Sequence, residues 1–198
     1  MENIEIHGMS RGAFLVRGAV ATGAAYGAAS VGPWVTRALA QDGGGDIDIL
    51  NFALTLEYLE ADFYKQAGKL SLTGRYRSLA KEFGANEQEH VDALIALIKQ
   101  AGGKPAAKPK ARFPLDSAKA ILKLAATVEN LGAGAYLGQA GNIQDKEILA
   151  AALSIHSIEA RHAAVLNLAT KAPVTSGAFA KPATAAEVLM SVKPFLVT

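Results

Sequence analysis

The chain repeats itself at an offset of 72 residues, and the repeated positions carry charge where a helix would normally be apolar. Glu57 precedes Glu87 by 30 residues, and Glu129 precedes Glu159 by 30. Glu87-Gln88-Glu89-His90 and Glu159-Ala160-Arg161-His162 both read Glu-x-x-His, while Tyr64 and Tyr136 each follow the first glutamate of their half by seven. Residues three apart on a helix share a face, so each Glu-x-x-His offers a carboxylate and an imidazole to one point. A single such motif is ordinarily a solvated surface pair. Doubled and in register, it implies two helical hairpins of common plan.

The apolar periodicity supplies those hairpins. After Gly43-Gly44-Gly45, Asp46 is the expected N-cap, and Ile47, Leu50, Leu54, Glu57, Ala61 and Tyr64 follow at spacings of three and four. A second stripe runs Leu79, Phe83, Glu87, His90, Leu94, Leu97 and ends near Gly102-Gly103. Asp116 is expected to open a third helix with the stripe Leu122, Ala125, Glu129, Gly132, Tyr136, closed by Gly141-Asn142. The fourth shows Ile148, Ala152, Ile155, Glu159, His162 and Leu166. Gly132, Gly134 and Gly138 each cost the third helix about 1 kcal/mol against Ala. They imply either a break in it or a close approach by a neighbour. Beyond Pro173, a short helix over residues 185–192 is expected in a tail packed on the bundle.

Connection lengths set the topology. The joins within each pair are short, so each pair is antiparallel. Gly102 to Phe113 is basic and rich in Pro and Gly, and extended it can travel about 40 Å, the length of a 25-residue helix. It can therefore return the chain to the opposite end and leave the second and third helices parallel. The fold class expected is all-α, a ferritin-like four-helix bundle of two hairpins joined by a long crossover, with a short C-terminal tail helix.

Residues 1–40 read as an export signal. Ser10-Arg11-Gly12-Ala13-Phe14-Leu15 precedes a weakly apolar run from Gly18 to Val35, and Ala38-Leu39-Ala40 offers a small-residue cleavage site before Gln41. The stretch resembles a twin-arginine signal in which Gly12 replaces the second arginine. It implies an exported bacterial protein, periplasmic or extracellular, with residues 41–198 as one bundle domain and no stable membrane association after cleavage. An uncleaved anchor is the alternative. Three of the 20 basic and two of the 18 acidic residues fall before Gln41, leaving 17 against 16 with no long block of either sign. Such a balance argues against nucleic acid as a partner, and a homo-oligomer is compatible with it. With no cysteine, chemistry must use oxygen and imidazole groups.

Four carboxylates on apolar stripes are too costly to bury unless they bind metal or pair. A glutamate from each of two helices, plus Glu-x-x-His from each of the other two, is the ligand set of di-iron and di-manganese carboxylate bundles. The candidate ligands are Glu57, Glu87, His90, Glu129, Glu159 and His162, holding two metal ions. Iron is the first expectation and manganese the alternative, with zinc or cobalt able to occupy such donors. Tyr64 and Tyr136 read either as core aromatics or as partners of a ligand on the antiparallel helix close to a redox centre. Glu60 lies one turn past Glu57 and reads either as an extra ligand or as a surface residue; its repeat mate is Gly132, so the surface is expected. His156 has no match in the first half and is expected in the core or behind a ligand.

Asp48-Ile49-Leu50-Asn51-Phe52-Ala53-Leu54 and Leu56-Glu57-Tyr58-Leu59-Glu60 are similar to the first helix of bacterial ferritin-like proteins related to the desiccation-related proteins. The resemblance extends from about Asp46 to Ala169. It implies Glu57 and Glu129 as single ligands, Glu87 with His90 and Glu159 with His162 as the paired ones, and a metal bridge from Glu87, Glu159 or both. The family does not define one activity. A di-iron oxidase acting on Fe(II), O2 or peroxide is the leading expectation. A manganese catalase-like enzyme and a non-catalytic, metal-stabilised stress or structural protein are the alternatives.

Overall fold

Each of the four stripes forms one unbroken helix in the computed structural model, which describes residues 45–70 and 72–197. They are α1 (Asp46–Ala67), α2 (Gly74–Gln100), α3 (Ala118–Ala140) and α4 (Lys146–Ala169), followed by α5 (Ala185–Val192) and a 3-10 turn, Lys193–Phe195. The export-signal reading falls on residues outside the described ones. No helix among the described residues is long and apolar enough to cross a membrane.

Two helix starts differ from expectation by a residue. Gly45 rather than Asp46 is the N-cap of α1, and the Asp46 carboxylate instead accepts from the backbone N–H groups of Gln144 and Asp145 at 2.9 and 2.7 Å. It thus ties the start of α1 to the turn between α3 and α4. Ser117 rather than Asp116 caps α3, because its hydroxyl reaches the Ala120 N–H at 3.1 Å. Asp145 caps α4 and Thr184 closes a capping box on Glu187 at α5.

The crossover runs as expected. Asn51 holds it at one end, donating to the Lys104 carbonyl at 3.2 Å and accepting from the Ala106 N–H at 2.7 Å. Lys108 meets Asp62 at 3.5 Å, and Gln66 donates to the Ala111 carbonyl at 3.1 Å. Between Asn51 and Gln66 the helix rises about 22 Å, close to the span of extended chain from Lys104 to Ala111. The segment therefore lies along α1 and leaves α2 and α3 parallel. Its far end pairs with the C-terminus: Arg112 N–H donates to the Phe195 carbonyl and Val197 N–H to that of Lys110, both at 2.9 Å.

These coverings explain why α1 is buried nearly all round although its sequence suggests one apolar stripe. Phe52, Leu56 and Leu59 leave the bundle interior and pack against Val188, Leu189 and Val192 of α5. The other apolar clusters fill the two ends of the bundle. Leu50, Leu54, Leu94, Ile98, Ile148 and Ile155 pack at one end; Phe63, Phe83, Phe113, Ile121 and Leu166 pack at the other. Side chains of this size contribute about 1.5–3 kcal/mol each when buried. That gain carries the polar layer enclosed between the two clusters.

The glycines of α3 do not break it. A Cβ at Gly138 would lie 2.1 Å from the Ala183 carbonyl oxygen, and one at Gly134 would lie 3.2 Å from the Ala183 Cβ. The Ala183 N–H donates to the Gly134 carbonyl at 2.8 Å. These two glycines admit the tail, so the neighbour that approaches closely there is the irregular segment before α5 rather than a bundle helix.

Candidate metal centre

All six candidate ligands converge between the two apolar clusters. Glu57, Glu87, Glu129 and Glu159 are fully buried, with 0% exposure, while His90 and His162 retain 9% and 4%. Ligand atoms of Glu57, Glu87, His90 and Glu159 lie within 4.8 Å of one another, as do those of Glu87, Glu129, Glu159 and His162. Glu87 and Glu159 belong to both groups. Each half of the sequence thus supplies one private carboxylate, one imidazole and one shared carboxylate.

Both imidazoles point their Nδ1 atoms into the carboxylate cluster. His162 Nε2 lies 3.2 Å from Asn86 Oδ1, which can only accept there, so Nε2 carries the proton. Its Nδ1 faces Glu87 Oε1 at 3.0 Å and Glu129 Oε2 at 3.2 Å without hydrogen-bond alignment. Two carboxylate oxygens and an imidazole nitrogen meeting in this way require a cation among them, a proton or a metal ion. His90 Nδ1 likewise faces Glu87 at 2.8 Å, Glu57 at 3.2 Å and Glu159 at 3.3 Å, although one N–H serves one acceptor well. Glu87 Oε1, Glu129 Oε2 and both Glu159 oxygens are buried without a hydrogen-bond partner. Burying such atoms unpaired is expensive. A pair of metal ions fits this donor set, which is oxygen-rich with one imidazole per position.

The electrostatics say the same. Burial pushes Glu57 up to about 7 against the opposing contact with His90. Burial also raises Glu129, and burial followed by the charge of Glu57 holds Glu159 well above the carboxylate range. For Glu87, burial works upward but contacts with His162 and His90 overcome it and bring the group down to about 2. Burial works to lower both histidines. Carboxylate contacts outweigh it, pushing His90 up to about 12 and His162 to about 9. In the metal-free cluster, protons supply the positive charge that the crowded carboxylates draw in.

The tyrosines partner the opposite hairpin. Tyr136 Oη donates to Glu57 Oε1 at 2.6 Å, and Tyr64 Oη donates to Glu129 Oε1. Burial, then the charge of the accepting glutamate, raises both phenols well above their usual value. They stay protonated and donating.

Glu60 corrects the sequence expectation of a surface residue. It is 4% exposed and lies in the polar layer, with Oε2 lacking any partner. Burial, then the charges of Glu159 and Glu57, raises it well above the carboxylate range. Its repeat mate suggested the surface, but Gly132 is small because Glu60 fills the space beside it: a Cβ there would lie 2.8 Å from Glu60 Oε1. His156 is half-buried with Nδ1 3.0 Å from the Ala133 carbonyl oxygen, tying α4 to α3 outside the cluster. Sequence reasoning missed Asn86 and the stacking of Phe83 on His162, with ring centroids 3.9 Å apart. Their spacing was a usable signal, since Phe83 and Asn86 precede His90 by seven and four and share its face.

A family model described as a ferritin-like domain matches residues 45–172. Among solved structures, the chain is similar to a conserved hypothetical protein from Mycobacterium tuberculosis. The two are 21% identical with a TM-score of 0.58, and the match covers 68% of this chain and 96% of that one. At that identity the likeness supports the fold alone. No curated protein matches the chain.

Proposed function

From the premise that this chain belongs to the ferritin-like domain family, we propose that Glu57, Glu87, His90, Glu129, Glu159 and His162 hold two metal ions in an oxidase centre. Glu87 and Glu159 are the shared ligands, since both lie in each of the two ligand groups. The observation that carries the reading is the convergence of buried donors: ligand atoms of Glu57, Glu87, His90 and Glu159, and those of Glu87, Glu129, Glu159 and His162, lie within 4.8 Å of one another. Iron is the proposed metal, with manganese as the alternative for the same donors.

When bound, a pair of redox-active ions supplies two-electron exchange with dioxygen or peroxide. The residues of this chain supply the setting. Tyr64 and Tyr136 orient Glu129 and Glu57 from the opposite hairpin. Leu54 and Leu94 on one side, and Phe63 and Phe83 on the other, exclude bulk water. The full burial of the four glutamates restricts the substrate to something the size of Fe(II), dioxygen or peroxide.

Elemental analysis of protein purified from its own host, followed by stopped-flow addition of Fe(II) and peroxide, tests the proposal. Turnover with iron supports it. Peroxide disproportionation with manganese would move the assignment to a catalase-like enzyme, and stoichiometric metal without turnover would leave a metal-stabilised structural protein.

A further inference from the structure

The repeat is broken at the centre itself. Tyr136 meets Glu57 and Tyr64 meets Glu129, so α1 and α3 run antiparallel with Glu60 level with Gly132. A Cβ at Gly132 would lie 2.8 Å from Glu60 Oε1 and 2.9 Å from Glu159 Oε2. Oxygens of Glu60 and of a shared ligand therefore crowd against the same glycine. Glu60 Oε2 has no hydrogen-bond partner, and the side chain is sealed from solvent. A merely buried carboxyl would be expected to find a donor; this one finds other carboxylates. The surroundings of the two histidines differ as well, since Phe83 and Asn86, which box His162, have Ile155 and Ile158 as repeat mates.

We propose that Glu60 is a seventh ligand of the centre, a carboxylate entering from the α1–α3 side through the space Gly132 leaves, so that the two ion positions are chemically unequal. The proposal rests on the dinuclear reading above. Two divalent ions balance the four repeated glutamates in charge. A fifth carboxylate leaves the site one negative charge over and favours hard, oxygen-seeking cations.

The test is titration of the metal-free full chain with Co(II) alone, following ions per chain, stepwise affinity and the visible absorption bands. Glu60→Gln keeps the volume and removes the charge; Glu60→Asp keeps the charge and withdraws it by one methylene. The expected result is two ions in the unaltered protein. Each variant should then weaken one step at least tenfold and change the bands, with helicity by circular dichroism unchanged. If both variants bind two ions with unaltered affinity and bands, Glu60 is only a neighbour and the six-ligand centre stands. If the unaltered protein fails to bind two ions, the dinuclear reading falls and this proposal with it. Should Glu60→Gln not fold, Glu60→Asp decides alone.

Discussion

Tyr136 reaches from α3 to donate its hydroxyl to Glu57 Oε1 at 2.6 Å, fastening a ligand of one hairpin from the other. Tyr64 does the reciprocal service for Glu129. The two bonds make each half of the repeat depend on its partner. Tyr136→Phe leaves a buried carboxylate oxygen without its donor, at a cost of about 1–3 kcal/mol, and removal of such an orienting partner typically weakens metal binding by roughly 10–100-fold. Thermal melts and metal titration should show this, and Tyr64→Phe should behave alike. Wild-type affinity in both variants would mean that the tyrosines only fill space.

The metal-free protein should lose stability as pH rises from about 5 to 9. Groups whose pKa is raised in the fold stabilise it fully below their unfolded value and lose that effect up to the folded one. Glu57, raised from 4.5 to about 7, gives up its contribution over that interval; His162 and His90, raised from 6.5 to about 9 and about 12, do so above neutrality. Glu87, lowered to about 2, acts only as pH falls below 4.5. Bound metal displaces these protons, so the gain in melting temperature from metal should grow with pH. Urea melts at pH 5, 7 and 9, with and without metal, provide the check; a metal-free protein more stable at pH 8 than at pH 5 would contradict it.

Gly138→Ala should lift the tail. The added methyl would meet the Ala183 carbonyl at 2.1 Å, backbone that cannot yield locally. Overpacking of this kind costs about 1–3 kcal/mol. Faster subtilisin cleavage within residues 173–184, with a lower melting temperature, is the expected outcome. An unchanged cleavage rate would show that the tail does not depend on this contact.

Residues 1–40, read as an export signal, predict a mature chain that begins near Gln41. Mass spectrometry of the exported protein provides the test. An intact N-terminus in the membrane fraction would instead support an anchor.

The bundle, its crossover and the six converging residues are legible because each leaves a periodic or doubled trace. The crossover is legible from length alone, and Glu87 and Glu159 from their matched spacing. Glu60 is hidden for the opposite reason. It has no matching carboxylate at Gly132, and symmetry reasoning therefore prefers the surface to an extra ligand, although the missing side chain is what makes room for it. Asn51 and Asn86 are hidden because their partners, the crossover backbone and His162, are 53 and 76 residues away. The all-round burial of α1 depends on the tail and crossover, which local periodicity along α1 does not register.

The central claim is that the two halves of the sequence build one shared dinuclear centre. Metal per chain and stepwise affinity, measured under one reconstitution protocol for the unaltered protein, His90→Ala and His162→Ala, test it most directly, with circular dichroism confirming the fold. The account predicts two ions in the unaltered protein and the selective weakening of one position in each variant, a different one in each. If both variants keep two ions at unaltered affinity, the doubled Glu-x-x-His does not bind metal and the account is contradicted.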